Sequence, residues 1–154
     1  MMRTLILSLL LAAVLPAAAG ALHPDNGDFN SGLRHYEAGK FKAAVAAFDR
    51  AAAVDPENDV YAFWVGKACG RVAENAGPIS AIKWAGRTRD ALERAVELNP
   101  DNADAVGALA SYYEQAPGFL GGDAAKAREL RARLATTSPV SAADTPAVNP
   151  PTQR

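Results

Sequence analysis

The sequence predicts an all-α fold, and three observations lead there. Alanine recurs along the whole chain, and apolar residues never alternate with polar ones over a useful length, which favours helix over strand. Three prolines, Pro56, Pro100 and Pro139, each close a stretch with helical spacing. Residues counted back from each proline fall into register, so the helices belong to a repeating unit rather than to separate elements.

The first element reads as an export signal rather than as core. Met1, Met2 and Arg3 give a positive start, Leu5 to Leu15 form an apolar run broken only by Ser8, and Pro16 to Ala21 supplies small residues for a signal peptidase. Cleavage is expected after Ala19 or Ala21. A membrane anchor needs about 20 apolar residues, and Pro16 with the small residues behind it argues against one. No cysteine near the junction offers a lipid attachment point, so no stable membrane anchor is expected after cleavage.

Removal of residues 1–21 takes away Arg3 and leaves 133 residues with 15 basic and 17 acidic side chains, a net charge near -2. That length suits one small domain with a modest core. A slightly acidic chain lacks the basic face that phosphate binding needs, so nucleic acid is not an expected partner. Cys69 is the only cysteine, which leaves no internal disulfide in any compartment. Stability must come from packing.

The register of the repeats sets the remaining elements. Twelve positions before the prolines stand Ala44, Thr88 and Ala127; eight before stand Phe48, Leu92 and, as a departure, Arg131; five before stand Ala51, Ala95 and the larger Leu134. Gly39 and Gly122, seventeen before their prolines, are expected to form tight turns between helices. Counting forward from Pro56 and Pro100, Val65 matches Leu109, Gly66 matches Ala110, and Cys69 matches Tyr113. Gly32 falls at the place of Gly66 if a first unit of 34 residues precedes Pro56. In "KFKAAVAAFDRAAAV", Phe41, Ala44, Val45, Phe48, Ala51 and Ala52 recur every three or four residues and make one buried helix face. Proline with its Asp and Asn neighbours then stops one helix and starts the next.

Helices are therefore expected over 28–38, 41–54, 59–75, 80–98, 103–116 and 123–136, with Ser80 and Asp123 as N-caps and Pro117 with Gly118 ending the fifth. The second and third units exceed 34 residues by ten and by five, and the excess falls between their helices, around "NAGPISAIKWAG" and "APGFLGG". After Pro139 the chain loses large apolar residues and gains three prolines, so 140–154 is expected to be a disordered Pro-rich tail.

This pattern resembles the tetratricopeptide repeat (TPR), most strongly in "YEAGKFKAAVAAFDRAAAVDPEN" from Tyr36 to Asn58. The two insertions, with "APGFLGGDAAKA" after a Tyr-Tyr pair, are similar to a group of exported bacterial TPR proteins of unassigned activity. The resemblance covers 25–139 as repeats of about 25–58, 59–102 and 103–139. It implies a right-handed α-solenoid of three helical hairpins, with the first helix of each lining a concave surface. On that geometry Phe29, Leu33 and Tyr36, then Val60, Phe63, Trp64, Lys67 and Arg71, then Asp104, Ser111 and Glu114 face the groove. The groove would have an aromatic floor and a basic rim, suited to a protein or peptide segment with apolar anchors and some acidity. The alternative is that Phe29, Leu33 and Phe63 fill a small core or are covered by the tail. The carboxylate clamp found in some TPR grooves would fall on Phe29, Leu33, Trp64, Asp104 and Ala108, none of which can form it.

No residue pattern points to catalysis or to a cofactor. The "GFLGG" turn, Gly118 to Gly122, follows no strand and precedes no Gly-Lys-Ser/Thr, so turn chemistry explains it better than phosphate binding. Phe119 and Leu120 within it either tuck under a helix or stay exposed for a partner; Ile79, Ile82 and Trp84 in the longer insertion are expected to pack locally. Cys69 sits at a core position without a nearby base, His23 and His35 are isolated, and no His, Cys or carboxylate pair has ligand spacing on one helix face. Arg87, Arg89, Arg94, Arg128, Arg131 and Arg133 read as solvated faces with Glu93, Glu97 and Glu129 nearby. The expectation is a non-catalytic interaction module or scaffold of the bacterial envelope, exported to the periplasm or secreted. The second reading is a structural subunit that uses Trp84, Phe119 and Leu120 in the insertions as a permanent interface; an enzyme comes third.

Overall fold

A computed structural model describes residues 27–137. The expected export signal and the tail 140–154 lie outside the described residues. Among the described residues the protein is all-helical, without a strand: α1 (Gly27–Glu37), α2 (Phe41–Val54), α3 (Asp59–Glu74), α4 (Pro78–Leu98), α5 (Ala103–Gln115) and α6 (Ala124–Thr137), with a short 3-10 helix, Gly118–Leu120. The bounds agree with the sequence expectation to within two residues at every end. No helix among the described residues is long and apolar enough to cross a membrane.

Local chemistry explains most of the boundaries. Asn58 Oδ1 accepts from the backbone N–H groups of Val60 and Tyr61 at 3.1 and 3.2 Å, and Asn102 Oδ1 accepts from Ala105 N–H at 3.0 Å, so the two Asn residues after the prolines cap α3 and α5. Asp123 caps α6 through the N–H groups of Lys126 and Ala125, which hold its carboxyl below the usual carboxylate range. Ser80 does not cap α4, as the sequence had suggested. That helix starts two residues earlier, with Gly77 as the capping residue and Pro78 in the first turn, where a missing N–H costs nothing.

Glycine chemistry at the second short turn also differs from expectation. Gly39 takes a left-handed φ of 70° as foreseen, but near α6 the left-handed residue is Gly121, with φ 91°, and not Gly122. The 3-10 helix shifts the turn by one residue. Gly122 is required for another reason: a Cβ there would stand 1.7 Å from the carbonyl oxygen of Ala116.

Each helix packs chiefly on its neighbours in the chain, and α3 touches α5 only slightly. Two apolar cores result. The first joins Ala44, Val45 and Phe48 of α2 to Val65, Cys69 and Val72 of α3. The second joins Phe63 of α3 and Leu92 of α4 to Val106, Leu109 and Tyr113 of α5 and Leu130 of α6. Trp64 packs against both. Of the three units expected from the sequence, the first two bring matched positions together: Gly32 faces the Phe48 ring, and Gly66 faces the Leu92 side chain, each too closely for an added Cβ unless the neighbour shifts. In the third, Arg131 turns outward to pair with Glu114 at 2.9 Å, and its neighbour Leu130 takes the buried place.

A polar link ties the starts of α3 and α5. Asp59 Oδ2 accepts from Asn99 Nδ2 at 3.2 Å and from Asn102 Nδ2 at 2.6 Å. The residues that follow Pro56 and precede or follow Pro100 thus bond to each other as well as to their own helices.

Candidate protein-binding face

Trp64, Lys67 and Arg71 stand at i, i+3 and i+7 on α3 and so share one stripe of the helix. The stripe is built from alternating rings and cations. Lys67 Nζ lies 4.6 Å from the Trp64 ring centre, 5.5 Å from Phe63 and 5.8 Å from Tyr36. Arg71 Cζ lies 4.9 Å from the Phe41 ring, which in turn meets Tyr36 edge-on at 5.3 Å. Rings hold cations in this range through their quadrupole, so both side chains are oriented rather than loose.

Trp64 is the hub. Its ring contacts Phe29, Tyr36, Phe48 and Phe63 at centroid distances of 5.4–6.4 Å, and it is only half-buried. Of the residues expected in one groove, Tyr36, Phe63, Trp64, Lys67 and Arg71 come together. Phe63 is largely core, and Phe29 and Leu33 pack against the first core. Burial raises the Tyr36 phenol pKa and the Arg71 charge opposes it. Val60 and Asp104 are exposed.

Ser111 and Glu114 make their contacts elsewhere. Ser111 Oγ donates to Gly107 O at 3.0 Å and accepts from Arg131, while Glu114 takes two hydrogen bonds from the same guanidinium, which holds its carboxyl below the usual range. Glu114 belongs to the α5–α6 face, and Ser111 stands between that face and α3. Ser111 also lines a cleft that the sequence did not disclose, a cavity of about 280 Å³ walled by Gly70, Ala73 and Glu74 of α3 and by Ala108 and Tyr112 of α5, with Thr88 and Leu92 of α4 behind. Gly70, Ala73 and Ala108 keep it open. Small residues opposite one another on α3 and α5 were the available signal.

The insertions divide by residue. Trp84 packs against the first core, with Arg87 Cζ 5.7 Å from its ring, and Leu120 lines the cleft while its carbonyl accepts from Tyr112 Oη at 2.7 Å. Phe119 is 78% exposed. Ile79 and Ile82, expected to pack locally, are 88% and 50% exposed. They lie on the first turns that the insertion adds to α4, and the main packing of that helix, through Thr88, Leu92 and Ala95, begins further along.

Cys69 is fully buried, and burial pushes its thiol up to about 11, far from a nucleophile's range. No group of three His, Cys, Asp or Glu side chains among the described residues could hold a metal ion. A cavity of about 590 Å³ between the α1–α2 and α3–α4 turns offers Lys42, Asn75 and Ser80 but no carboxylate or imidazole. The arginines of the later helices mostly meet carboxylates, Arg87 with Asp49 at 2.5 Å and Arg94 with Glu57 at 3.2 Å. Comparison with protein-family models gives no match, and comparison with curated proteins gives none either.

Proposed function

We propose that this protein is a three-unit TPR solenoid of the bacterial envelope, exported to the periplasm, which binds a segment of another protein without catalysing a reaction. The ring and cation stripe of α3 carries the reading. Tyr36, Trp64, Lys67 and Arg71 present aromatic edges and two ring-contacting cations, of which Arg71 is paired with Glu74 and Lys67 is not, a combination that suits recognition. The meeting of Gly32 with Phe48 and of Gly66 with Leu92 supports the TPR reading, because those pairs occupy the same places in successive units. The opening run of 1–21 supports export.

The test is co-purification from envelope extract with the wild type and with Lys67→Glu plus Arg71→Glu, both exposed side chains whose replacement leaves the core intact. Loss of a specific partner in the double variant is the expected result. An unchanged set of partners would reject this face.

A second reading rests on the exposed Phe119, Ile79 and Ile82. Large apolar side chains left in water mark contact surfaces, here one that would build a permanent complex through the insertions. Size measurement separates the two: an oligomer dispersed by Phe119→Ser with Ile82→Ser favours the structural subunit.

A further inference from the structure

We infer that the α3–α5 cleft and Lys67 form one two-point site for an acidic–aliphatic peptide segment, with an aliphatic side chain in the cleft and a carboxylate on the Lys67 ammonium; this rests on reading the α3 face as protein-binding. Lys67, Gly70, Arg71 and Glu74 follow at i, i+3, i+4 and i+7, so they run along one side of α3. Gly70 and Glu74 are also walls of the cleft. The cation stripe and the apolar cavity are therefore continuous.

The charges on this side are not equivalent. Arg71 is paired with Glu74, one turn away. Lys67 has no carboxylate within salt-bridge distance among the described residues, and three rings hold its ammonium in place. A positioned cation without a counter-charge selects an anion, and the Arg71–Glu74 pair beside it adds no net charge.

The cleft selects the other half. Its exposed lining is mostly apolar, with Leu92 and the Thr88 side chain at the back and Ala73 and Ala108 at the sides, and about 280 Å³ accommodates one aliphatic side chain. The space exists because α3 and α5 scarcely touch. The backbones of Lys67 and Gly70 are separated by about 4.5 Å along the helix axis, and the Lys67 ammonium reaches back over the Phe63 and Trp64 rings, which adds to that distance. Allowing for the lateral step into the cleft, an extended segment at about 3.3 Å per residue matches both points with its acidic and aliphatic residues two or three positions apart.

The experiment is selection from a displayed library of random dodecapeptides on the full chain, repeated on Lys67→Glu and on Ala73→Leu, with a thermal melt of each variant to establish that it is folded. Wild type is expected to enrich Asp or Glu two or three positions from Leu, Ile, Val or Met. Lys67→Glu should weaken a selected peptide at least tenfold and turn the preference toward Lys or Arg at the acidic position, while keeping the aliphatic one. Ala73→Leu, which fills the cleft, should remove the aliphatic preference and keep the acidic one. Peptides that are enriched and lost with Arg71→Glu, but that lack the paired motif or are indifferent to Lys67→Glu, would overturn the two-point site and leave the binding face standing. No enrichment over a blank surface would overturn both.

Discussion

Gly32 of α1 lies so close to Phe48 of α2 that a Cβ would stand 2.4 Å from the ring, and Phe48 is fully buried with nowhere to move. Gly66 bears the same relation to Leu92, at 2.8 Å from its side chain and 3.3 Å from its backbone nitrogen. Helix propensity alone would make alanine better by about 1 kcal/mol, but overpacking a filled core costs about 1–3 kcal/mol. Gly32→Ala and Gly66→Ala should therefore lower the melting temperature. Gly86→Ala in α4, where a Cβ meets nothing within 4 Å, should raise stability by roughly 0.5–1 kcal/mol. Thermal denaturation of the three variants checks the contrast.

The four residues of those contacts stood out in the sequence because they recur at fixed distances from the prolines, but that each glycine meets its large partner is seen only in the structure. The caps were legible for a similar reason, since Asn58 and Asn102 act within one turn of their own position. What escaped depended on distances between helices that are not neighbours in the chain. The α3–α5 cleft arises from a gap, and no local pattern states how wide a gap will be. Ile79 and Ile82 look like packing residues until the start of α4 is seen to extend beyond its main contacts. Gly121 and Gly122 were indistinguishable as letters; the 3-10 turn between them and α5 decides which takes the left-handed φ.

The Asp59 carboxylate links two caps, so its removal should be felt at both. Asp59→Ala leaves the Asn99 and Asn102 amides without that acceptor and is expected to cost about 1.5–3 kcal/mol, typical for hydrogen bonds to a charged group. Asn58→Ala should cost about 1 kcal/mol as a lost N-cap. Urea titrations of the single variants measure both.

Cys69 couples stability to alkaline pH. Its folded thiol is raised to about 11 by burial against an ordinary value of 9.0, so folding favours the neutral form. That contribution is fully present below pH 9.0 and is lost as pH rises toward about 11. The wild type should lose stability across this window more than Cys69→Ala does. At pH 8 the native thiol carries roughly one hundredth of the thiolate of a free cysteine, and alkylation should be at least that much slower until the protein is unfolded.

Trp64 serves both packing and surface, and this limits what its mutation can reveal. Trp64→Ala removes contacts to Phe29, Tyr36, Phe48 and Phe63 and should destabilise the chain by about 2–4 kcal/mol. Lys67→Glu gives up cation–ring contacts at an exposed site, worth about 0.5–1 kcal/mol. Melting curves should show the large difference, and partner loss is interpretable only for the Lys67 and Arg71 variants.

On the proposed function, the α3 stripe and not the insertions meets a protein partner. Photo-crosslinking in living cells tests it most directly, with a photoreactive residue placed in turn at Lys67, Arg71, Ile82 and Phe119, all exposed. One discrete adduct with another protein is expected from positions 67 and 71, and none from 82 and 119. Adducts from 82 and 119 alone would contradict it.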